Sequence, residues 1–410
     1  MTCGPMVGWQ PMSDTVRIHR DKRPFMQSRE FLGFLASTLS ASVGRNGYYI
    51  ASAWMLVEAG HGSAGVATLL AIVSVVEFVA SPLVGAAVDR FDRQRLNIAA
   101  DLSRIAAVLA TASALLYLDV FVTICLSAVP FAFCDRVALT SSQSMIPLVA
   151  RGSDPVASNS TVFFVTQFGC LGAALLVGPL LGEHSPALMF IILAGFFVVS
   201  AASLSSLRLA SAPNAVCRAN SFAINFDLHL LRLFAVYALL YGGAVLVSVM
   251  GSSFVFEELK GNAVDFGHVE AAWSVGSLIG AVLLVRLTRG ISAHTLHLML
   301  LWSTALALMA LIFLRGPWTL TIFAALGLLY NMGRVSIEVT LQSRASNKML
   351  GRAKGTMHSL AVGFGLVIFG IVTILGGSVI PSMIFFSFGV MLIISVSALS
   401  IGIAQHTSGS

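Results

Sequence analysis

The chain has 410 residues, of which 57% are hydrophobic and 10% are charged, and its net charge at pH 7 is +6. A mean hydropathy of +0.89 excludes an ordinary soluble domain. The composition therefore predicts an all-α polytopic membrane protein. We attribute the positive charge to membrane topology and expect no nucleic-acid partner.

Long apolar segments divide the chain into twelve predicted membrane helices. Each segment is long enough to cross a hydrocarbon core, which takes roughly 20 residues at a rise of about 1.5 Å per residue. The predicted spans are 30–57, 64–88, 96–118, 120–144, 157–181, 186–207, 230–256, 267–287, 293–314, 317–340, 357–377 and 380–403.

The longest polar interruption, residues 209–229, falls between the sixth and seventh spans. It predicts a central loop between two six-helix halves, and a faint internal repetition favours duplication of one half into the other. The predicted parts are a tail at 1–29, an N-terminal half at 30–208, the loop at 209–229, a C-terminal half at 230–403 and a tail at 404–410.

Basic residues predict the orientation, because Lys and Arg in short loops are retained in the cytoplasm. Five of them precede the first span, and others fall in every second connection, whereas only Lys260 and Arg315 fall on the opposite side. We therefore expect both termini and residues 209–229 to be cytoplasmic, with the protein in the plasma (inner) membrane.

The connection between the second and third spans carries the densest charge, in the run Gly85-Ala-Ala-Val-Asp-Arg-Phe-Asp-Arg-Gln-Arg95. Gly85 lets two helices approach closely, and Asp89 is suited to bond free amides at a neighbouring helix end. Arg90 and Arg93 are available for pairing with carboxylates or with the cytoplasmic leaflet. The run therefore predicts a tight, charged cytoplasmic loop.

The fifth span contains a second pattern, Gly172-Ala-Ala-Leu-Leu-Val-Gly-Pro-Leu-Leu-Gly182. Glycines such as Gly178 allow close packing on a neighbouring helix, and Pro179 kinks a helix by removing a backbone hydrogen bond. A kinked, closely packed helix is suited to be a rocking surface. The alternative is the ordinary tolerance of membrane helices for Gly and Pro.

The charged run resembles the signature G-x-x-x-D-R-x-G-R-R of the loop between helices 2 and 3 in the major facilitator superfamily, with Asp92 in place of its glycine. The form D-R-[FY]-D-R is typical of the macrolide-efflux and siderophore-exporter branch of drug/proton antiporters. The fifth-span pattern is similar to the G-P-x-x-G of antiporters. This resemblance covers the whole chain and implies the major facilitator fold, with two six-helix pseudo-repeats around a midplane site.

Asp101 and Arg104 lie three residues apart, about two turns inside the third span and close to the charged loop. We interpret them as part of a cytoplasmic latch. In this hypothesis Arg90 and Arg93 bridge to Asp101 and to the other half when the protein faces outward, and they release as it opens inward.

Four ionisable residues lie near mid-depth in the predicted spans, all in the N-terminal half: Arg45, Glu77, Asp135 and Arg136. Each costs roughly 2.5–3.5 kcal/mol on insertion scales and needs a partner or a role. Two acids and two bases balance, which favours a mutually compensating cluster around an aqueous cavity.

Glu77 and Asp135 are the candidate proton carriers, because a carboxylate in a partly dry cavity changes its protonation as a nearby arginine moves. The alternative is that both form permanent ion pairs that hold the helices together. Arg45 has two interpretations as well, attraction of an anionic substrate group or a salt bridge to Glu77 or Asp135. Arg334 and Glu338, four residues apart in the tenth span, predict an intrahelical pair.

The sequence contains no zinc-protease, nucleophile-elbow or phosphate-loop motif, so we expect a secondary transporter and not an enzyme. Our first hypothesis is proton-coupled export of a small amphipathic or hydrophobic compound, drug-like, macrolide-like or siderophore-like. An importer or symporter on the same fold is the nearest alternative, and a membrane enzyme or receptor a distant one. We expect a monomer without cofactor or metal, whose partners are its substrate, protons and the bilayer.

Overall fold

Twelve α-helices make up a computed structural model that describes residues 29–150, 155–183, 185–207, 228–287, 291–344, 350–375 and 379–407. They are α1 (Arg29–Leu56), α2 (Gly62–Arg90), α3 (Arg93–Ala114), α4 (Val120–Val149), α5 (Pro155–Glu183), α6 (Pro186–Ser205), α7 (Leu228–Ser253), α8 (Ala263–Leu287), α9 (Ala293–Ala310), α10 (Pro317–Arg344), α11 (Leu350–Leu375) and α12 (Pro381–Thr407). Two π-helical turns, Val57–His61 and Phe254–Glu258, follow α1 and α7.

The predicted fold class is confirmed, since the described chain is helical and rich in stretches that suit a membrane. Eleven such stretches are long and apolar enough to cross a bilayer, and the first of them, Arg29–Arg90, holds both α1 and α2. Two predicted boundaries were wrong: α3 begins at Arg93 and not at 96, and α8 begins at Ala263 and not at 267. Most of the predicted N-terminal tail and central loop lies outside the described residues.

Side chains and glycines fix several helix ends. Asp92 caps α3 by accepting a bond from the amide of Arg95 at 2.8 Å, so the capping role that we expected of Asp89 belongs to Asp92. Asp119 caps α4 by accepting from the amide of Phe121 at 2.9 Å. Gly60 has a φ of 88° inside the first π-turn, a backbone conformation that a side chain would strain.

Each half has an aromatic core of its own. In the N-terminal half, Tyr48 of α1 stacks on Phe131 of α4 with their ring centroids 3.8 Å apart. In the C-terminal half, Phe254 packs against Phe323 and Phe385 at centroid distances of 6.2 and 5.8 Å. Most helix contacts lie within α1 to α6 or within α7 to α12, and the main contacts between the two groups are α5 with α8 and α2 with α11.

The two ends of the bundle differ in charge. The α2–α3 connection lies at one end, which we call the basic end because Arg90 and Arg93 flank it. Both π-turns lie at the other, which we call the acidic end because it carries Glu58, Glu257 and Glu258.

The halves meet through aromatic and backbone contacts near the acidic end. Trp54 of α1 packs on Phe266 of α8 and on Phe256 of the second π-turn, at centroid distances of 5.8 and 5.7 Å. Helices α5 and α8 also touch near this end. Farther along, an apolar cleft of about 410 Å³ opens between the same two helices, lined by Phe164, Phe168, Leu278, Ile279, Val282 and Leu283. The acidic end therefore holds close contacts between the two halves.

Candidate functional site

Arg104 of α3 lies at the centre of a buried charge network. Its Nη1 donates to Oδ1 of Asp135 on α4 at 2.9 Å, and its Nη2 pairs with Oδ1 of Asp101. Its guanidinium carbon also lies 4.5 Å from the centroid of the Phe197 ring on α6. All three charged side chains are at most 2% exposed, so a single arginine compensates two carboxylates out of contact with water.

Two serines and a second arginine extend the network. Ser200 of α6 donates to Oδ2 of Asp101 at 2.7 Å, and its hydroxyl lies 2.9 Å from that of Ser37 on α1. Oδ2 of Asp135 lies 3.9 Å from Nη1 of Arg45 on α1. The network thus ties together α1, α3, α4 and α6, and Arg45, which is 24% exposed, is its most exposed member.

Glu77 of α2 occupies a different environment. It is partly exposed, and its electrostatic neighbours are Asp135, Arg136 and Arg45. It forms no ion pair within 4.0 Å with any residue that the structure describes. Of the two candidate proton carriers, Asp135 is therefore ion-paired with Arg104, whereas Glu77 is partly exposed and has no ion pair among the described residues.

The structure places Asp101 and Arg104 differently from the cytoplasmic latch that we expected. Asp101 faces Arg104 and Ser200 instead of the loop arginines. Arg93 donates to the backbone carbonyl of Ser144 at 3.0 Å. Because α3 begins at Arg93, Asp101 lies eight residues inside the helix, about 12 Å along its axis and too deep for the loop.

Asp89, Arg90 and Gly85 remain at the end of α2, where the first two are exposed to solvent. A Cβ added to Gly85 would meet nothing within 4 Å, so the close helix approach that we expected there is not what the structure shows. The loop keeps its charge on the surface of the basic end.

Arg334 and Glu338 of α10 do not form the intrahelical pair that we expected. Glu338 lies 3.9 Å from Nζ of Lys354 on α11, and both side chains are more than a third exposed. The guanidinium of Arg334 lies 5.6 Å from the ring centroid of Phe163 on α5. Arg334 therefore contacts the opposite half through a cation–π interaction with this ring.

The glycine pattern of α5 lies partly at the junction of the halves. A Cβ on Gly178 would lie 2.8 Å from the carbonyl oxygen of Ala263 on α8, a distance that only glycine permits. Gly172 has ordinary contact with α1, and Gly182 has open space beside it. Pro179 lies inside α5 directly after the close contact. Gly178 is thus the member of the pattern that brings α5 and α8 together.

Sequence reasoning missed Glu270 of α8. The predicted span began at 267, which made Glu270 look like a residue of the helix end, but α8 begins at Ala263 and places it two turns inside. Its side chain is partly buried, and it acts electrostatically on Cys170 of α5. The polar residues before position 267 indicate an earlier helix start, and that start would have placed Glu270 inside α8.

Neutral groups join α8, α9 and α10 in the C-terminal half. Asn331 of α10 donates from Nδ2 to the carbonyl of Ser277 on α8 at 2.8 Å. His297 is buried, and its Nε2 lies 3.0 Å from the hydroxyl of Ser336. These bonds join α8, α9 and α10 without a charged side chain.

Comparisons with known proteins cover most of the chain. The profile of the Major Facilitator Superfamily matches residues 34–370. Two relatives carry the name multidrug efflux pump Tap. The Mycolicibacterium fortuitum protein is 26% identical over 354 residues, covering 81% of this chain and 85% of the relative. The Mycobacterium tuberculosis protein is 27% identical over 359 residues, covering 81% and 83%.

Solved structures share the fold at low sequence identity. A variant of the nucleoside transporter NupG aligns with a TM-score of 0.72 at 15% identity, covering 90% of this chain and 99% of its own. A bacterial homologue of the iron transporter ferroportin, in an inward-facing state, aligns with a TM-score of 0.68 at 16% identity, covering 90% and 98%. The family match and these likenesses indicate a transporter and not an enzyme.

Proposed function

The chain belongs to the major facilitator superfamily, and from that premise we propose that it exports small amphipathic or hydrophobic compounds in exchange for protons. The relatives named multidrug efflux pump favour export of drug-like compounds. The observation that carries the proposal is the partly exposed Glu77 beside the buried network of Arg104. A protein that only opened and closed around a substrate would not need charges at this depth.

In the proposed mechanism Glu77 exchanges the proton and Asp135 responds to it. Arg45 acts electrostatically on Glu77 and lies 3.9 Å from Asp135. When Glu77 is protonated, Arg45 loses one of its two anionic neighbours and is drawn toward Asp135. Since Arg45 belongs to α1, this displacement is transmitted to a helix that contacts the other half through Trp54.

The orientation in this proposal follows the distribution of basic residues. The basic end faces the cytoplasm of the inner (plasma) membrane, and the acidic end faces outward. In this proposal the contacts of Trp54 and Gly178 near the acidic end close the outer side, so the structure corresponds to a state open toward the cytoplasm. That state is the one in which an exporter loads its substrate.

The charged loop serves as the cytoplasmic gate in this proposal. Asp89 and Arg90 lie at the surface of the basic end and are available to the other half when that end closes. Asp89→Asn and Arg90→Ala should then slow transport while membrane abundance and substrate binding stay near normal. Normal transport in both variants would limit the loop to a role in membrane insertion.

The test uses purified protein in proteoliposomes with a panel of drug-like, macrolide-like and siderophore-like compounds. An imposed pH gradient should drive uphill transport in the wild type, with the direction of net flux separating export from import. Glu77→Gln should abolish uphill accumulation but retain downhill exchange, because the neutral side chain imitates the protonated state. Asp135→Asn should impair both.

The matched control is Glu58→Gln, which neutralises an exposed acid at the acidic end. It should behave as the wild type in both assays. If Glu77→Gln still accumulates substrate at the wild-type level, Glu77 does not couple transport to protons. In that case the charged residues act only as ion pairs between helices.

A further inference from the structure

Glu270 faces the junction between the halves, just inside the seal at the acidic end. Gly267, three residues earlier on α8, packs against the backbone of α5, where an added Cβ would lie 2.5 Å from the carbonyl oxygen of Ala174. Glu270 lies one turn farther from the acidic end and acts on Cys170 of α5. Glu270 therefore lies beside the contact between α5 and α8.

No cation of the described chain compensates this carboxylate. Glu270 has neither an ion pair nor a side-chain hydrogen bond among the described residues. Asp135, by contrast, has Arg104 and Arg45 beside it. A carboxylate at this depth requires a proton or a cation, so an uncompensated one is open to a cation from outside the protein.

Aromatic rings flank Glu270 on the C-terminal half. Trp273 follows three residues later, on the same side of α8, and packs against Tyr330 of α10 with ring centroids 5.8 Å apart at 34°. Both residues are only partly buried. Aromatic faces attract organic cations, and the attraction strengthens where water is scarce. The carboxylate and the two rings together fit a large, diffuse positive charge.

We propose that Glu270, Trp273 and Tyr330 bind the positively charged group of the substrate, so that the transporter selects lipophilic organic cations. This names the substrate class of the site and rests on the proposed function for its transport consequence. Arg45, on the opposite half, also acts on Cys170 and repels a cation from the N-terminal side. The cation is therefore held against α8 and α10, and the proton exchange at Glu77 takes place on the other half.

Binding of radiolabelled tetraphenylphosphonium to purified protein in detergent tests the site without requiring transport. The wild type should bind it saturably. Glu270→Gln should weaken binding at least tenfold, Trp273→Leu should weaken it severalfold, and Glu270→Asp should retain most of it. The control Asp265→Asn, an exposed acid on the same helix, should leave binding unchanged. Equal affinity of Glu270→Gln and the wild type would overturn the proposal.

A second measurement needs only the wild type and does not depend on folding of a variant. Dicyclohexylcarbodiimide reacts with carboxyl groups in apolar sites, and peptide mass spectrometry locates the product. Glu270 should be labelled, and saturating tetraphenylphosphonium should protect it. Labelling that persists in the presence of the cation, or no labelling at Glu270 at all, would overturn the assignment.

Transport assays separate this inference from the proposed function. Glu270→Gln should lose transport of tetraphenylphosphonium while a neutral compound of the panel is still moved uphill. Loss of both would identify Glu270 as a coupling residue and overturn the cation site. If the wild type transports nothing against a gradient, the proposed function fails, whereas the binding and protection results still decide the site.

Discussion

In the N-terminal half four helices meet around charged side chains, whereas α8, α9 and α10 of the C-terminal half meet through backbone contacts and neutral hydrogen bonds. Arg104 joins Asp101 and Asp135 in the first half. In the second, α8 and α10 approach so closely that a Cβ on Gly276 would lie 1.8 Å from the carbonyl oxygen of Ala324. The N-terminal half thus has a charged interior, whereas α8 and α10 of the C-terminal half are held together by close backbone packing.

This difference indicates a division of labour between the halves. A buried network of charges is stabilising only while every charged group has its partner. Movement of one charge therefore affects the others. Close backbone packing is insensitive to charge and holds a rigid shape. Under the proposed function, the N-terminal half responds to protons and the C-terminal half presents a fixed surface. The predictions below test that contrast in order of decreasing effect on stability.

Replacing Arg104 with Met should have the largest effect. It leaves Asp101 buried without its cation and Asp135 with only Arg45 at 3.9 Å, and breaking a buried pair in this way costs about 3–5 kcal/mol. We expect a sharp fall in membrane abundance and in the thermal unfolding temperature in detergent. Arg95→Met, an exposed arginine on the same helix, should change neither quantity.

A double variant separates charge from packing. Adding Asp135→Asn to Arg104→Met neutralises one of the two carboxylates that lost Arg104. The double variant should therefore recover part of the lost stability. If Arg104→Met unfolds at the wild-type temperature, the network is not what holds α1, α3, α4 and α6 together, and the contrast between the halves disappears.

Gly276→Ala should have the next largest effect, within the C-terminal half. The new methyl group collides with the backbone of α10, and overpacking of this kind typically costs about 1–3 kcal/mol. The matched control is Gly195→Ala on α6, where a Cβ meets nothing within 4 Å. There the substitution should be neutral or stabilising by up to about 1 kcal/mol, because Ala favours a helix more than Gly does. Equal unfolding temperatures for the two variants would contradict the close approach of α8 and α10.

Asn331→Ala should have a smaller effect. It removes the bond from Nδ2 to the carbonyl of Ser277, and an ordinary neutral hydrogen bond contributes about 0.5–1.5 kcal/mol. The loss should be well below that of Arg104→Met when both are measured by thermal unfolding in the same detergent. A loss as large as that of Arg104→Met would show that the C-terminal half also depends on a polar network.

Sequence alone predicted the helices well because hydropathy over about 20 residues is a strong signal. It also pointed to Gly178, since a Gly-Pro step inside an apolar segment predicts close packing. It did not predict the partners of Asp101 and Arg104. Asp135 lies 31 residues from Arg104 on another helix, and residue spacing within one helix does not predict contacts between helices. It missed Glu270 because an error of four residues at the start of α8 moved an interior acid to the predicted end.

Gly178→Ala should have the smallest effect on unfolding and a clear effect on movement, because its contact joins two halves that must separate. The added methyl group would lie 2.8 Å from the backbone of α8, whereas at Gly182 it would meet nothing within 4 Å. Strain of about 1 kcal/mol, at the low end of overpacking, shifts an equilibrium between two states roughly fivefold. We expect the shift to favour separation of the acidic end, measured as a longer distance between spin labels at exposed positions 117 and 313 in a cysteine-free background. Gly182→Ala should retain the wild-type distance distribution. Identical distributions for Gly178→Ala and Gly182→Ala would mean that α5 and α8 do not form the seal, and the rigid surface of the C-terminal half would then contact the N-terminal half mainly through Trp54.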